Sequence, residues 1–340
     1  MLNVGLVGLG KMGISHFGIL KAHSNVNLQS VCDPAKMVTW GINKYTGVAT
    51  YSKFEKMLSK EKLDAVFLAT PTKFHADHIM LALENNLHVF VEKPFCLNAA
   101  DSMRVTEIAN EKGLITQVGY HNRFIGTFLR AKECIDKGYI GSIYNIHGEA
   151  YGPVITKKQK ESWRSKKSEG GGCVYDYSSH VINLMEFFVG KASKVDSAIL
   201  QNIYSPDTED AVYANFLYEG NKTGRLTVNW SDETYRKMVT SITIMGDKGK
   251  IVVNAHELRV YLKDDVNDDD LEQGWNVSYL TDHSLPVDFY LRGEEYSAQI
   301  DSFITAIGSN NTQNVNSFNS ALKTDITISE IFKVANRVGS

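Results

Sequence analysis

Gly8-Leu9-Gly10-Lys11-Met12-Gly13 is the stretch of this 340-residue chain that decides its fold. The apolar run Leu2–Val7 precedes it, and a helical pattern from about Lys11 to Ala22 follows it. Glycines at this spacing, between a strand and a helix, are typical of the turn that holds the pyrophosphate of a dinucleotide in a Rossmann fold. Asp33 ends the next apolar run, where a carboxylate accepts hydrogen bonds from the adenosine ribose. A glycine turn that only connects a strand to a helix is the alternative.

Asp33 also predicts which dinucleotide is bound. A carboxylate at this place repels the 2′-phosphate of NADP, so NAD is the expected cofactor. Lys36 lies close enough in sequence to soften that preference, so NADP stays as the alternative.

Strand and helix patterns alternate along roughly the first 120 residues. Asp64–Ala69 and Leu87–Val91 are apolar runs that indicate buried strands, and Ala99–Glu111 has the pattern of a helix. This alternation predicts a doubly wound parallel sheet. After Gly119-Tyr120 the strands lengthen and alternate with a period of two residues, as over Ile143–Ala150, which predicts an open, antiparallel sheet.

We therefore predict an α/β protein with two domains. Residues 1–122 form an N-terminal Rossmann domain that binds NAD on a doubly wound parallel sheet. Residues 123–340 form a C-terminal α/β domain with an open, mostly antiparallel sheet for substrate binding and oligomerisation. The last helix, about 317–337, is a candidate to pack back on the Rossmann domain.

Composition and charge narrow the class of partner. The net charge of −3 argues against nucleic acid or a membrane surface as the main partner, and no apolar window is long enough to span a bilayer. Four cysteines lie far apart, without the spacing of a zinc site, so no metal is predicted. Free thiols are typical of a reducing compartment, and the apolar start of the chain reads as a strand, which together predict a cytoplasmic protein.

Two further stretches end predicted parallel strands, where ligands bind in such sheets. The first is Ala69-Thr70-Pro71-Thr72, followed by His75, and the second is Val91-Glu92-Lys93-Pro94. From composition alone, Lys93 is best interpreted as an exposed lysine paired with Glu92.

Together with the glycine turn, these stretches resemble the Gfo/Idh/MocA oxidoreductases, which are named for glucose–fructose oxidoreductase and inositol dehydrogenase. The likeness continues to about residue 255 and departs from the usual family pattern at Thr72 and Asn86. Its later segments are Val118–Phe124, Gly138–Ile143, Trp163-Arg164, Gly170-Gly171-Gly172, and Asp176 followed by His180.

The resemblance implies a set of site residues and a class of substrate. Lys93, Asp176 and His180 match the family's catalytic positions. Family members oxidise or reduce a carbinol or carbonyl in sugars, cyclitols and nucleotide sugars, commonly as dimers or tetramers that pair through the open sheet. The cofactor contacts expected from the motif and the resemblance are Gly8, Gly10, Lys11, Met12, Gly13, Asp33, Thr70, Pro71, His75, Glu92 and Lys93.

These residue types suit the oxidation of an alcohol. Histidine is the side chain best matched to proton transfer near neutral pH, and Asp176, four residues before His180, would share a helix face with it and orient its ring. Lys93 would stabilise negative charge on the substrate oxygen. For Asp176 and His180 the alternative is a hydrogen bond on a helix surface. The expected substrate contacts, for which ordinary packing is an equal alternative, are Tyr120, Asn122, Arg123, Trp163, Arg164 and Tyr235.

The leading hypothesis is therefore an NAD(P)-dependent dehydrogenase of a sugar, cyclitol or nucleotide sugar, acting as a homodimer or homotetramer. Two alternatives stay open: a non-catalytic sensor that binds NAD, and a glycosidase that uses NAD as a transient oxidant.

Overall fold

The computed structural model describes residues 1–158, 163–284 and 286–338, and the chain divides into two compact units. The first unit holds residues 1–121 and 286–322, and the second holds the described residues of 122–285 and 323–340. This differs from the expected division at residue 122, because the segment 286–322 returns to the first unit. The cause is apolar burial, since Ile300 and Phe303 lie in the core of the first unit, where the Phe303 ring packs on Phe67 at 5.4 Å.

The first unit is built on a six-stranded sheet in the order β3-β2-β1-β4-β5-β6, with every neighbouring pair parallel. Strand order reverses beside β1, the point at which such sheets bind ligands beyond the carboxyl ends of their strands. The predicted cofactor segments follow β1, β2, β4 and β5, so they lie along one edge of the sheet. The elements up to this point are β1 (Leu2–Val7), α1 (Lys11–Ala22), β2 (Val26–Cys32), α2 (Lys36–Thr46), β3 (Ala49–Tyr51), α3 (Phe54–Lys60), β4 (Ala65–Leu68), α4 (His75–Glu84), β5 (His88–Val91), α5 (Ala99–Glu111) and β6 (Thr116–Val118).

The second unit is built on an eight-stranded sheet in the order β14-β13-β12-β11-β7-β10-β9-β8. Only β7 and β10 pair in parallel, and the other pairs are antiparallel. The predicted fold class is thus confirmed in both halves. Its elements are α6 (Gly126–Asp136), β7 (Ile143–Tyr151), α7 (Ser179–Val189), β8 (Lys194–Gln201), β9 (Ala211–Leu217), β10 (Thr223–Asn229), β11 (Val239–Gly246), β12 (Gly249–Asn254), β13 (Glu257–Leu262) and β14 (Gly274–Tyr279).

The two faces of the eight-stranded sheet differ in burial. Along β11 and β12 buried residues alternate with partly exposed ones, and the buried ones join a core that includes α6 and α7. The opposite face exposes apolar side chains near its β14 edge, where Trp275, Val277 and Tyr279 are each about half exposed.

Two helices close the chain, α8 (Glu294–Gly308) and α9 (Phe318–Val338). The start of α9 lies in the first unit, where Phe318 packs on Phe95 at 4.4 Å between ring centres. From Lys323 onward the helix belongs to the second unit, whose core includes Ile328 and Ile331. Only the beginning of this helix therefore packs on the parallel-sheet unit, contrary to the expectation for the whole of it. Within the described part of the chain, no helix has the length and apolar character needed to cross a bilayer.

Candidate functional site

The glycine turn after β1 is held by very close backbone contacts. Gly8 has a φ of +93°, and a Cβ on it would lie 2.6 Å from the carbonyl oxygen of Ala69. A Cβ on Gly13 would overlap the carbonyl oxygen of Gly8. Both positions therefore require glycine, the first for its left-handed backbone and the second for close approach of α1 to the turn.

Gly10 differs from these two glycines because a Cβ there would meet nothing within 4 Å. It is the N-cap of α1, which has no side-chain cap and no acidic residue in its first turn. The helix therefore presents backbone N–H groups and a partial positive charge to an open space, as a pyrophosphate requires. Lys11 is exposed and Met12 partly exposed at the same end. These residues fit the phosphates of a dinucleotide.

Asp33 is fixed at the end of β2 by two backbone hydrogen bonds. Its Oδ2 accepts from the N–H of Leu9 at 2.7 Å, and its Oδ1 accepts from the N–H of Ala35 at 2.8 Å. Each carboxylate oxygen has a second acceptor site, so the side chain can still receive ribose hydroxyls. Asp33 therefore ties the glycine turn to β2 while it stays partly exposed to a ligand.

His75 has a structural role that the sequence did not predict. Its Nε2 lies 2.9 Å from the carbonyl oxygen of Thr70, and its Nδ1 lies 3.0 Å from those of Pro94 and Phe95. Burial lowers the pKa of His75, against the opposing effect of these carbonyls and of the charge of Glu92. Because both ring nitrogens face backbone, His75 joins the two loops and offers no free nitrogen to a cofactor. Pro71, by contrast, is exposed on its loop.

Glu92 and Lys93 do not form the simple exposed pair that composition suggests. The side chain of Glu92 is buried, and its Oε1 lies 2.6 Å from Nε2 of His16 in α1. Lys93 is partly buried at the carboxyl end of β5. Lys93 is therefore less exposed than composition suggests, and the acid also has a buried histidine from another element as a partner.

Asp176 and His180 lie where the sequence places them, near the start of α7, with an irregular turn before it. Val174–Ser178 is a π-helical turn that carries Asp176, and His180 is 5% exposed in the first turn of α7. Such turns are rare and frequent at functional sites. Oδ2 of Asp176 lies 3.5 Å from Nε of Arg164, an ion pair that the sequence did not predict.

The glycine run before this turn makes room for neighbouring groups. The N–H of Gly172 donates to the carbonyl oxygen of Arg164 at 3.0 Å, and a Cβ on Gly171 would overlap that same oxygen. Gly172 has a φ of +103°, and a Cβ there would overlap the carboxylate of Glu209. Glu209 and Arg164 thus hold the segment that carries Asp176.

The expected substrate contacts fall into two groups in the structure. Tyr120 and Arg123 are buried, Tyr120 in the core of the first unit, and Arg123 donating at 2.7 Å to the carbonyl oxygen of Asn183 with its guanidinium over Phe187. Both side chains thus pack against other parts of their own units. Asn122 is also buried. Trp163 is about half exposed, and the guanidinium of Arg164 lies over its ring. The ring of Tyr235 stacks on that of Tyr151.

Several site residues escaped the sequence analysis. His16 lies one helical turn beyond the glycine motif, and its spacing from Gly13 was the only signal available. Tyr296 and Glu209 are distant in sequence from the residues they contact, so no local pattern marks them. His121 lies in the segment Val118–Phe124 that carries the resemblance, but its stacking on Tyr296 follows only from the fold. The described residues hold no cluster of metal ligands.

Known proteins share this architecture along most of the chain. A family model described as an oxidoreductase family with an NAD-binding Rossmann fold matches residues 2–120. A second, described as the GFO/IDH/MocA C-terminal domain, matches residues 128–252. The chain belongs to the Gfo/Idh/MocA oxidoreductase family. The resemblance is confirmed, and NAD is the cofactor of this oxidoreductase.

Individual relatives of this Gfo/Idh/MocA oxidoreductase are distant. The 2,7-anhydro-N-acetylneuraminate hydratase of Escherichia coli K12 is 24% identical over 266 residues, which cover 76% of this chain and 68% of the hydratase. The scyllo-inositol 2-dehydrogenase (NAD(+)) of Bacillus subtilis 168 is 30% identical over 187 residues, about half of each chain (54% and 53%). Levoglucosan dehydrogenase in complex with NADH has the same fold, with a TM-score of 0.88, 21% identity and coverage of 99% of this chain and 97% of that one.

Proposed function

We propose that this oxidoreductase is an NAD-dependent dehydrogenase of a secondary alcohol in a sugar, cyclitol or nucleotide sugar. The observation that carries the proposal is the geometry of the glycine turn. The first turn of α1 has no side-chain cap, and the space next to Gly10 is open, so a pyrophosphate can bind there. The carboxylate of Asp33 is fixed beside the same turn, where it can accept the ribose hydroxyls. The relatives named for scyllo-inositol and levoglucosan support the substrate class.

The chain's own residues divide the work of binding. Gly8, Gly10 and Gly13 would hold the pyrophosphate at the start of α1, and Asp33 would accept the ribose hydroxyls. Repulsion between Asp33 and a 2′-phosphate makes NAD the expected choice over NADP. When bound, NAD supplies the acceptor for hydride.

We assign proton transfer and charge stabilisation at the substrate oxygen to three side chains. His180 takes the proton of the substrate hydroxyl as the carbonyl forms, because an imidazole is suited to this transfer near neutral pH. Lys93 donates a hydrogen bond to the same oxygen and stabilises its negative charge. Asp176 carries negative charge on the turn before His180, and Arg164 fixes its position.

A reaction without net oxidation is the second candidate. The E. coli relative is named a hydratase, and adding or removing water changes no overall redox state. Under this proposal the substrate is consumed without accumulation of NADH.

The deciding experiment is a titration with NAD and NADP followed by a substrate panel. We expect NAD to bind at least tenfold more tightly, and NADH to appear at 340 nm with one or more inositols, anhydrosugars, aldoses or nucleotide sugars. Loss of substrate without NADH would support the second candidate. Binding of NAD with no conversion of any substrate, by mass spectrometry as well as absorbance, would overturn both and favour a sensor.

The oligomeric state is proposed from the exposed apolar face of the second unit, and the cellular location from the free cysteines. We propose a homodimer or homotetramer that covers the exposed Trp275, Val277 and Tyr279, because apolar side chains gathered on one sheet face are typical of interfaces. Light scattering of wild type against Trp275→Lys checks this, and a monomeric wild type contradicts it. All four cysteines are free and buried, in keeping with the proposed cytoplasmic location.

A further inference from the structure

Two histidines of α4 contact the loop that follows β4. His75 and His78 are three residues apart, so their side chains lie on one face of the helix. Nε2 of His75 lies 2.9 Å from the carbonyl oxygen of Thr70, and Nδ1 of His78 lies 3.2 Å from the hydroxyl oxygen of the same residue. His75 already joins the backbone of this loop to α4, so the bond of His78 adds control of the Thr70 side chain.

Thr70 lies directly beside the glycine turn. β4 pairs in parallel with β1, and a Cβ on Gly8 would lie 2.9 Å from the backbone nitrogen of Thr70. Both loops follow the carboxyl ends of their strands where strand order reverses, which is where open parallel sheets bind ligands. Thr70 is partly exposed there, so its side chain is accessible to a dinucleotide.

Aromatic rings hold the imidazole of His78 in place. The ring of Phe74 stacks on it, with 5.8 Å between centres and 19° between planes. The ring of Phe54, from α3, meets it edge to face, with 5.7 Å between centres and 78° between planes. Because these contacts favour one orientation of the imidazole, Nδ1 stays directed at Thr70.

The imidazole of His78 is uncharged near neutral pH. Burial lowers the pKa of His78 and the electrostatic effect of His75 adds to this, while the charges of Glu55 and Asp77 oppose it. A neutral imidazole has one donor and one acceptor nitrogen, and a threonine hydroxyl can both donate and accept. The hydrogen bond therefore forms with either tautomer, and in both cases it fixes the position of the Thr70 oxygen.

We propose that His78 is a positioning residue for NAD, which acts by holding the Thr70 hydroxyl in one rotamer before the cofactor binds. This rests on the proposed role of Thr70 as a cofactor contact. A threonine without such a bond can exchange among staggered rotamers, and a side chain that is ordered in advance loses less entropy on binding. Loss of the bond should therefore weaken NAD binding although His78 itself need not touch the cofactor.

The first test needs neither NAD nor substrate. Nitrogen-15 spectra of the histidine rings are recorded for wild type and for Thr70→Val, in which valine keeps the branched shape of threonine without the hydroxyl. We expect the Nδ1 signal of His78 to move in Thr70→Val, while the signals of exposed His256 stay in place. An unchanged Nδ1 signal would overturn the inference, because no hydrogen bond would then join the two side chains.

The second test is a double-mutant cycle on NAD affinity, measured by calorimetry. His78→Phe keeps an aromatic ring between Phe54 and Phe74 but removes the bond, and Thr70→Val removes the hydroxyl itself. We expect the Kd for NAD to rise about three- to tenfold in each single variant, the range for one neutral hydrogen bond, and no further in the double variant. Effects that multiply in the double variant would show that His78 acts independently of the hydroxyl, and the inference would fail.

Asparagine at position 78 separates the hydrogen bond from the packing of the ring. Its amide can place a polar atom near the position of Nδ1, so His78→Asn should keep the Kd for NAD within about twofold of wild type. His256→Phe, which changes an exposed histidine of the second unit, is the matched control for His78→Phe. Equal Kd values for His78→Phe and His78→Asn would argue against a role of the hydrogen bond.

The two proposals fail in different ways. If NAD binds and no substrate is found, the proposed function fails while the cycle still decides the role of His78. If wild type turns over a substrate and His78→Phe binds NAD as tightly as wild type, only the present inference is wrong. Should His78→Phe fail to fold, His78→Leu, which also lacks a polar group, takes its place in the cycle.

Discussion

Oε1 of Glu209 accepts a hydrogen bond from the backbone N–H of Val174 at 3.0 Å. The backbone carbonyl oxygen of Glu209 accepts a second hydrogen bond, from the N–H of Cys173, at 3.0 Å. Glu209 therefore binds two consecutive residues at the point where the glycine run meets the π-helical turn. Burial raises the pKa of Glu209, against the hydrogen bond from Val174 and the charge of Lys167. This acid is therefore a cap for the segment that presents Asp176.

Removing the Glu209 cap should loosen that segment. Glu209→Ala leaves a buried N–H unpaired, so we expect the free energy of unfolding to fall by about 1–3 kcal/mol and kcat to fall with it. Glu209→Gln keeps an acceptor and should retain most of both. Urea unfolding and steady-state kinetics measure the two effects, with exposed Glu219→Ala as control. A Glu209→Ala variant as stable and active as wild type would contradict the capping role.

Substitutions of Gly10 and Gly13 should have different effects: the first should weaken cofactor binding, and the second should lower stability. Gly10→Val places its side chain in open space, so the melting temperature should hold while the Kd for NAD rises about tenfold or more. Gly13→Val meets the carbonyl oxygen of Gly8 and should cost about 1–3 kcal/mol of stability. Calorimetry and thermal melts of both variants check this. Tight NAD binding by Gly10→Val would argue that the pyrophosphate lies elsewhere.

Asp33 should set the choice between NAD and NADP. Asp33→Asn removes the negative charge but keeps one acceptor for the Leu9 or Ala35 N–H, so the preference for NAD should fall about tenfold. Asp64→Asn is a matched control, because Asp64 accepts a similar bond from the N–H of Asn3 and is exposed. Kd values for both dinucleotides give the result. An unchanged ratio in Asp33→Asn would show that this carboxylate does not face the 2′ position.

Lys93 and His180 should affect turnover and not cofactor affinity. Lys93→Ala and His180→Ala are each expected to lower kcat about 100- to 10,000-fold, the range for losing one acid–base group. The Kd for NAD should stay within about twofold, and Lys44→Ala should match wild type. Steady-state kinetics and NAD titrations separate these effects. Full activity in both variants would remove the two residues from the mechanism.

Ionisation of Glu186 should lower the free energy of unfolding as pH rises. Burial raises its pKa from 4.5 to about 7, against hydrogen bonds from Thr324 and Thr327 and the charges of Arg123 and Lys323. The folded state therefore binds this proton more tightly than the unfolded state, and the stability it contributes is present below pH 4.5 and is lost as pH rises through 7.

Comparison with Glu186→Gln isolates this contribution. Since one pKa unit corresponds to about 1.4 kcal/mol, we expect wild type to lose on the order of 2 kcal/mol more than Glu186→Gln between pH 5 and pH 8. Urea unfolding at the two pH values measures it, with Glu219→Gln as the exposed control. Parallel pH curves for wild type and Glu186→Gln would mean that the acid stays ionised throughout.

Local patterns predicted much of the first unit. Lys11–Ala22 and Ala99–Glu111 were predicted with the bounds that the structure has. Short or weakly buried strands were missed, as at β3 and at β14, where partly exposed and exposed residues alternate. β3 has only three residues, and the apolar residues of β14 lie on an exposed face, so pairing with a neighbouring strand is what reveals both.

The sequence by itself determined the glycine turn, the strand and helix that flank it, and the acid that ends β2, because these depend on backbone conformation and on neighbours within a few residues. It also placed Lys93 just after the end of a strand and His180 in the helix of the second domain. Only the tertiary structure decided that Glu92 pairs with His16, that Asp176 pairs with Arg164, and that residues 286–322 return to the first unit. The physical reason is that partners far apart in the chain meet only through sheet order and packing, and a buried charge is defined by those partners.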